Sequence, residues 1–136
     1  MAQVIHVAIA ILVRRGEVLV CRRRKGDRFA ELWEFPGGKL QPEESAESAM
    51  HREVEEELGV EVRIAGRLGS LVHDYGDMKV CLHPFVVALE QGRPVAKCAQ
   101  ELRWVMVERL CELQFPQANT SILAQLPTVL RFLAYL

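Results

Sequence analysis

The sequence predicts one α/β domain in which helices pack on a mixed β-sheet, and three observations carry that reading. The chain has 136 residues, 50% of them hydrophobic, enough for one complete core and too few for two. Short runs rich in β-branched residues and longer segments of helical character follow one another in the order strands, helix, strands, helix. No repeat, low-complexity tract or linker divides residues 1–136.

Val4–Val13 is a nearly continuous apolar run, and beyond the polar Arg14-Arg15-Gly16-Glu17 a second run follows at Val18-Leu19-Val20-Cys21, so the two read as a hairpin. His6 interrupts the first run, no basic region precedes it and no small-residue cleavage site follows, which predicts a buried strand and not a signal peptide. The segment from Arg22 to Arg28 is basic and broken by Gly26, hence a loop, and the short apolar Leu32-Trp33-Glu34-Phe35 ends in a turn at Pro36-Gly37-Gly38. A helix is predicted from about Ser45, as N-cap, to Leu58, because the segment holds good helix formers without internal Gly or Pro and Gly59 stands where a helix stops. Val60–Val72 and Met78–Leu89 predict strands joined around His73–Asp77, and Leu102–Val107 predicts another. A final helix is expected from about Asn119 to Tyr135, with Ile122, Leu123, Leu126, Val129, Leu130 and Leu133 on one face.

With 17 basic and 18 acidic residues the charge is near balance. Nothing global points to duplex nucleic acid or a membrane surface, and any phosphate binding has to be local. No stretch reaches the roughly 20 apolar residues of a membrane span. Cys21, Cys81, Cys98 and Cys111 lie far apart, without the CxxC pairs of a zinc site or the density of a disulfide scaffold, which predicts free thiols in a cytoplasmic setting.

Arg52-Glu53-Val54-Glu55-Glu56-Glu57 admits two readings, a solvated helix face or a ligand cluster, and angular position separates them. At roughly 100° per residue, Ala46, Ala49, Met50, Val54 and Leu58 form one apolar arc; Glu53 and Glu57 fall inside it, Glu56 lies at its edge, and Glu55 points away. A solvated face places its charges opposite the apolar stripe, whereas these carboxylates sit where the helix meets the body of the protein. Taking such groups out of water costs on the order of several kcal/mol each, and neighbours repel, so the cluster calls for a cation. A hard divalent ion of the Mg²⁺ type pairs a few carboxylates with substrate phosphates, and glutamates at i, i+3 and i+4 can share one. Arg52 either orients one of these carboxylates or stands exposed. Pro36-Gly37-Gly38-Lys39 offers a backbone clear of side chains that can approach a ligand, or serves as an ordinary turn.

Gly38, five residues, Glu44, seven residues, and then Arg52-Glu53-Val54-Glu55-Glu56-Glu57-Leu58-Gly59-Val60 resemble the complete Nudix box, with every specified position filled. Trp33-Glu34-Phe35-Pro36-Gly37-Gly38-Lys39 before it and Phe115-Pro116-Gln117-Ala118-Asn119 near the C-terminus resemble the MutT-like subgroup, so nearly the whole chain is included. The resemblance implies a single Nudix hydrolase domain over residues 1–136, folded as an α/β/α sandwich with a mixed sheet flanked by helices. It also implies Mg²⁺- or Mn²⁺-dependent attack of water on a phosphorus of a nucleoside diphosphate linked to another moiety. For a MutT-like enzyme the products are a nucleoside monophosphate and pyrophosphate. Carried over by motif position, Glu53, Glu56 and Glu57 hold the metal, the Gly37 carbonyl adds a ligand, Arg52 orients a glutamate and Glu44 supports the catalytic group. One position departs from the pattern. Related proteins often carry an acidic ligand six residues before the tryptophan that here is Trp104, and this chain has Cys98 there. Either the nearest acid, Glu101, takes that part or one metal is held more weakly.

The resemblance further implies that Asn119 reads the base edge with its amide, that Phe35 and Tyr75 flank the base, and that Arg23, Gly38, Lys39, Asp77, Met78 and Val80 line the substrate site. Asn119 is also a candidate helix N-cap and Phe35 a candidate core residue. Met78 stands where a longer polar residue contacts a base, which leaves a preference for oxidised guanine open. The leading expectation is sanitation of 8-oxo-dGTP or a similar purine nucleotide in the service of DNA replication and repair. A CTP-preferring or RNA 5′-pyrophosphohydrolase is the second, with the Arg22-Arg23-Arg24-Lys25 patch as an electrostatic guide. A catalytically inactive nucleotide-binding regulator is the third, and the intact glutamate set argues against it. The expected partner is a nucleotide or an RNA 5′ end, without membrane or duplex nucleic acid; monomer and homodimer both stay open.

Overall fold

The apolar run near the N-terminus becomes strand β1 (Gln3–Arg14), and the sheet is arranged around it. The computed structural model describes residues 3–133. After β1 come β2 (Glu17–Arg22), β3 (Trp33–Glu34), β4 (Gly37–Lys39), helix α1 (Ala46–Leu58), β5 (Glu61–Arg67), β6 (Leu71–Asp74), β7 (Met78–Gln91), β8 (Glu101–Met106) and helix α2 (Thr120–Phe132), with 3₁₀ turns at Val107–Glu112 and Gln117–Asn119. β1 and β7 run parallel in register from Gln3 opposite Met78 to Leu12 opposite Val87, and the other ladders are antiparallel. The strand order is β3-β2-β1-β7-β5, with β4 on β1, β6 on β7 and β8 on β2.

A strand covered on both faces reads as a continuous apolar run and not as an alternation, and β1 shows why. Ala8, Ala10 and Leu12 point to one face and pack with Ala49, Met50, Val54 and Leu58 of α1. Ile9, Ile11 and Val13 point to the other and join Ile122 and Leu126 of α2. The result is the expected α/β/α sandwich, with α1 and α2 on opposite sides of one mixed sheet. Among the described residues no helix is long and apolar enough to cross a membrane.

Several boundaries differ from the sequence expectation. The β1–β2 turn is only Arg15-Gly16, both at positive φ (50° and 80°), the backbone that matches the twist of a two-residue hairpin. Gly37–Lys39 is a strand and not a turn, pairing Ile9 with Gly37 and Val7 with Lys39. Val60–Val72, expected as one strand, is broken by the Leu68–Ser70 loop into β5 and the start of β6. α2 begins at Thr120 and accommodates Pro127 inside it, and the expected extension to Tyr135 lies outside the described residues. Leu12 is fully buried between β1 and the α1 layer. Leu12→Ala is expected to lower stability by about 2–5 kcal/mol, measured as a shift of the urea midpoint at unchanged m.

Candidate active site

The phase of α1 sets the site. Ser45 Oγ accepts from the Ser48 N–H at 3.1 Å and fixes the helix start, while Gly59, at φ 70°, closes it in the left-handed conformation. With Ala49, Met50, Val54 and Leu58 turned into the core, Glu53 and Glu57 are left half-buried beside that arc, and Glu55 and Glu56 are exposed. Beside them runs β4. Gly37 sits at φ +152° with a hypothetical Cβ only 2.0 Å from the Ala8 carbonyl oxygen, and a Cβ on Gly38 would fall 2.4 Å from the Glu53 carboxyl carbon. The two glycines therefore let β4 lie tight against β1 while leaving a side-chain-free hollow for the Glu53 carboxylate.

Arg52 binds the acidic groups together. Its Nε and one Nη2 hydrogen go to Glu44 at 2.8 and 2.9 Å, Nη1 donates to Glu53 at 2.7 Å and to Glu56 at 3.3 Å, and Nη2 also reaches the Lys39 carbonyl at 3.1 Å. That arrangement uses every N–H a guanidinium has. Arg52, with the Gln41 N–H, holds the Glu44 carboxyl down at about 2. Glu57 is in the opposite situation. Burial, with Glu34 and Glu53 adding repulsion, pushes its carboxyl up to about 8, although the Gly37 N–H donates to it at 3.2 Å. Burial beside Glu57 also pushes the Cys21 thiol up, so it stays neutral. A half-dry group of acids in which one member can ionise only against its neighbours fits a divalent cation, whose charge removes the penalty.

Two clefts adjoin beside Glu57. One, of about 210 Å³, runs along the α1 side past Cys21, Glu57 and Cys98. The other, of about 390 Å³, opens on the α2 side over Val7, Phe35, Met78, Val80 and Asn119. Arg23, Glu34 and Gly37 line both. The larger cleft, mostly apolar with a few polar groups at its rim, has the size and lining of a small-molecule site.

The sequence-selected residues distribute as follows. Arg23 donates through Nη1 to both Glu34 oxygens, at 2.9 and 2.8 Å, and through Nε to the Arg28 carbonyl. Phe35 is both a core residue, tilted against Phe115, and part of the cleft floor. Gly38, Lys39, Met78 and Val80 line the larger cleft. Tyr75 Oη accepts from the Ala118 N–H at 3.0 Å, so it also ties β6–β7 to the entry of α2. Asp77 lines neither cleft; it forms a two-pronged pair, at 2.6 and 3.1 Å, with Arg28, which lines the larger one. Asn119 is buried and does not cap α2 through its side chain; its amide nitrogen donates to the Pro116 carbonyl at 3.3 Å. Glu101 is not brought to the glutamates. It lies on the face of β8 opposite Leu102 and Trp104, which pack on the α1 side, and it pairs with Arg22 at 3.6 Å and Arg103 at 3.5 Å. Cys98 is the residue that lines the α1-side cleft.

Sequence reasoning passed over Arg28, Phe29, Glu34 and Pro116, all of which line the larger cleft. A signal existed for Glu34. It stands between buried Trp33 and Phe35 in a strand, so alternation turns it away from them and onto the side of Cys21, its register partner. Burial raises the Glu34 carboxyl, while the Arg23 pair holds it in the opposite direction.

Comparison with known proteins agrees with this geometry. A NUDIX domain model matches residues 7–125. The CTP pyrophosphohydrolase of Escherichia coli K12 is 35% identical over 120 residues, covering 88% of this chain and 87% of that protein. The 8-oxo-dGTP diphosphatase of Haemophilus influenzae is 32% identical over 125 residues, covering 91% and 92%. The solution structure of the E. coli ORF135 protein superposes with a TM-score of 0.80 at 30% identity, covering 96% of this chain and 92% of that one.

The raised carboxyl of Glu57 gives a signed prediction for the metal-free protein. Its folded value lies above the roughly 4.3 of an unperturbed glutamate, so the stability tied to this proton is fully present below that value and is lost as pH rises through about 8. Denaturant unfolding of the metal-free chain is expected to show lower stability at pH about 8.5 than at pH about 6, and Glu57→Gln is expected to flatten the difference.

Proposed function

The chain belongs to the Nudix family, and from that premise we propose that it hydrolyses nucleoside triphosphates to nucleoside monophosphate and pyrophosphate, with 8-oxo-dGTP as leading substrate. The observation that carries the reading is the Arg52-centred group of glutamates set against β4, whose Gly37, Gly38 and Lys39 line a cleft of about 390 Å³. The names of the two relatives, a diphosphatase and a pyrophosphohydrolase, support the same reaction class. The four free cysteines support a reducing, cytoplasmic location.

The reaction needs a divalent cation, Mg²⁺ with Mn²⁺ as a substitute, held by Glu53, Glu56, Glu57 and the Gly37 carbonyl. When bound there, such an ion lowers the pKa of a water and neutralises charge on the pyrophosphate that leaves. The chain's own groups do the rest. Arg52 keeps Glu53 and Glu56 turned to one side and prevents their repulsion from splaying them, with Glu44 holding the guanidinium from behind. One of the glutamates takes the proton of the attacking water as the water oxygen bonds to phosphorus and the bridging P–O bond breaks. Lys39 and Arg23 at the cleft rim counter phosphate charge. Phe35 and Met78 give the base an apolar floor, and Asn119 offers its amide to the base edge.

CTP is the second reading, favoured by the E. coli relative at 35% identity and by apolar Met78 at the base end of the cleft. A panel of 8-oxo-dGTP, dGTP, CTP and 5′-triphosphorylated RNA with Mg²⁺ separates these. Release of pyrophosphate fastest from 8-oxo-dGTP is expected; equal or faster turnover of CTP or RNA replaces that specificity with the second reading. Glu53→Gln and Glu56→Gln are each expected to lower kcat by roughly a hundredfold, and unchanged turnover in both removes the catalytic assignment. Asn119→Ala is expected to act mainly on the ratio of kcat/KM between bases, read from the same panel.

A further inference from the structure

We propose that His6, Cys81 and His83 form a second metal site, for a borderline-soft divalent ion of the Zn²⁺ type, outside the lining of both clefts. In the parallel β1–β7 ladder His6 lies opposite Cys81, and His83 is two residues further along β7, opposite Ala8. Strand alternation turns all three side chains to one face, the face to which the neighbouring Ala8 and Phe85 contribute core packing. His6 Nδ1 stands 3.0 Å from His83 Nε2 with the rings stacked at 5.3 Å, and the three ligand atoms all lie within 4.8 Å of one another. With roughly 2.0–2.1 Å to nitrogen and 2.3 Å to sulfur, tetrahedral ligand atoms stand about 3.3–3.7 Å apart. Small side-chain adjustments reach that spacing.

The surroundings fit a ligating role. Ser70 Oγ lies 2.8 Å from His83 Nδ1. When Nδ1–H donates to that hydroxyl, Nε2 keeps its lone pair and is aimed at His6 and Cys81, the orientation that a partner on the far ring nitrogen imposes on a metal-bound imidazole. Two imidazoles and a thiolate select Zn²⁺, Co²⁺ or Ni²⁺ over Mg²⁺, whereas the carboxylates of α1 select the hard ion. Cys81 and His83 are recessed while His6 is exposed, so an ion enters from solvent on the His6 side and keeps a fourth position for water. Ligation ties β1 to β7 and, through Ser70, to the loop after β5.

The test is a titration of the full chain with Co²⁺ in saturating Mg²⁺, which fills the hard site, followed by displacement with Zn²⁺. One Co²⁺ per chain with a thiolate-to-cobalt charge-transfer band, bleached by Zn²⁺, is expected, together with a rise in Tm. Cys81→Ser is expected to abolish the band and His6→Gln to weaken Zn²⁺ binding about tenfold or more, while Cys98→Ser and Glu53→Gln leave both unchanged. Because His6 is exposed, His6→Gln keeps the test decisive if Cys81→Ser folds poorly. Absence of the band, its survival in Cys81→Ser, its loss in Cys98→Ser, or unaltered Zn²⁺ affinity in His6→Gln overturns the site.

Discussion

Several carboxylates crowd around one end of α1, and this crowding is the constraint on which the rest of the structure depends. Unopposed, Glu44, Glu53, Glu56 and Glu57 would repel one another and be driven toward solvent or toward protonation. The guanidinium of Arg52 holds the first three, spending all its donors on them and on the Lys39 carbonyl. Glu57 is outside that grip and shows the residual cost as a raised proton affinity. A planar fork with five fixed donors can do this, and a lysine ammonium cannot.

Placing the fork requires the layers around it. The helix phase is set by Ser45 and Gly59 at the ends and by Ala49, Met50, Val54 and Leu58 along the buried side. The approach of β4 is set by Gly37 against the Ala8 carbonyl and by Gly38 under the Glu53 carboxylate. β1 is common to both, since it pairs with β4 through Val7, Ala8 and Ile9 and packs under α1 through Ala8, Ala10 and Leu12. Core packing and carboxylate placement are thus one geometry and not two.

The sheet also partitions chemistry. Carboxylates gather on the α1 side, the apolar cleft with Phe35, Met78 and Asn119 lies on the α2 side, and Arg23, Glu34 and Gly37 border both clefts. A ligand whose one end is anionic and whose other end is a flat apolar ring is matched by such a divided opening. The imidazoles of His6 and His83 and the thiol of Cys81 lie outside the lining of that opening on the β1–β7 ladder, where strand pairing brings together residues far apart in the chain.

The sequence by itself determined the layer order and the acidic helix, because both rest on local periodicity. A strand buried on both faces must be apolar throughout, as Val4–Val13 is, and a helix that turns Glu53 and Glu57 inward shows it in the 3.6-residue repeat. It also determined the helix ends, since Ser45 and Gly59 act on their own neighbours. Only the tertiary structure decided what depends on register and on contacts across the chain. Gly37–Lys39 is a strand because β1 is there to pair with it, and the break at Leu68–Ser70 follows from β7 serving both β5 and β6. Glu101 faces away because the β2–β8 register fixes which of Glu101 and Leu102 meets the α1 layer. Asn119 sits in a buried 3₁₀ turn and not at a capping hydrogen bond. Those outcomes are set by residues far along the chain, and no local pattern records them.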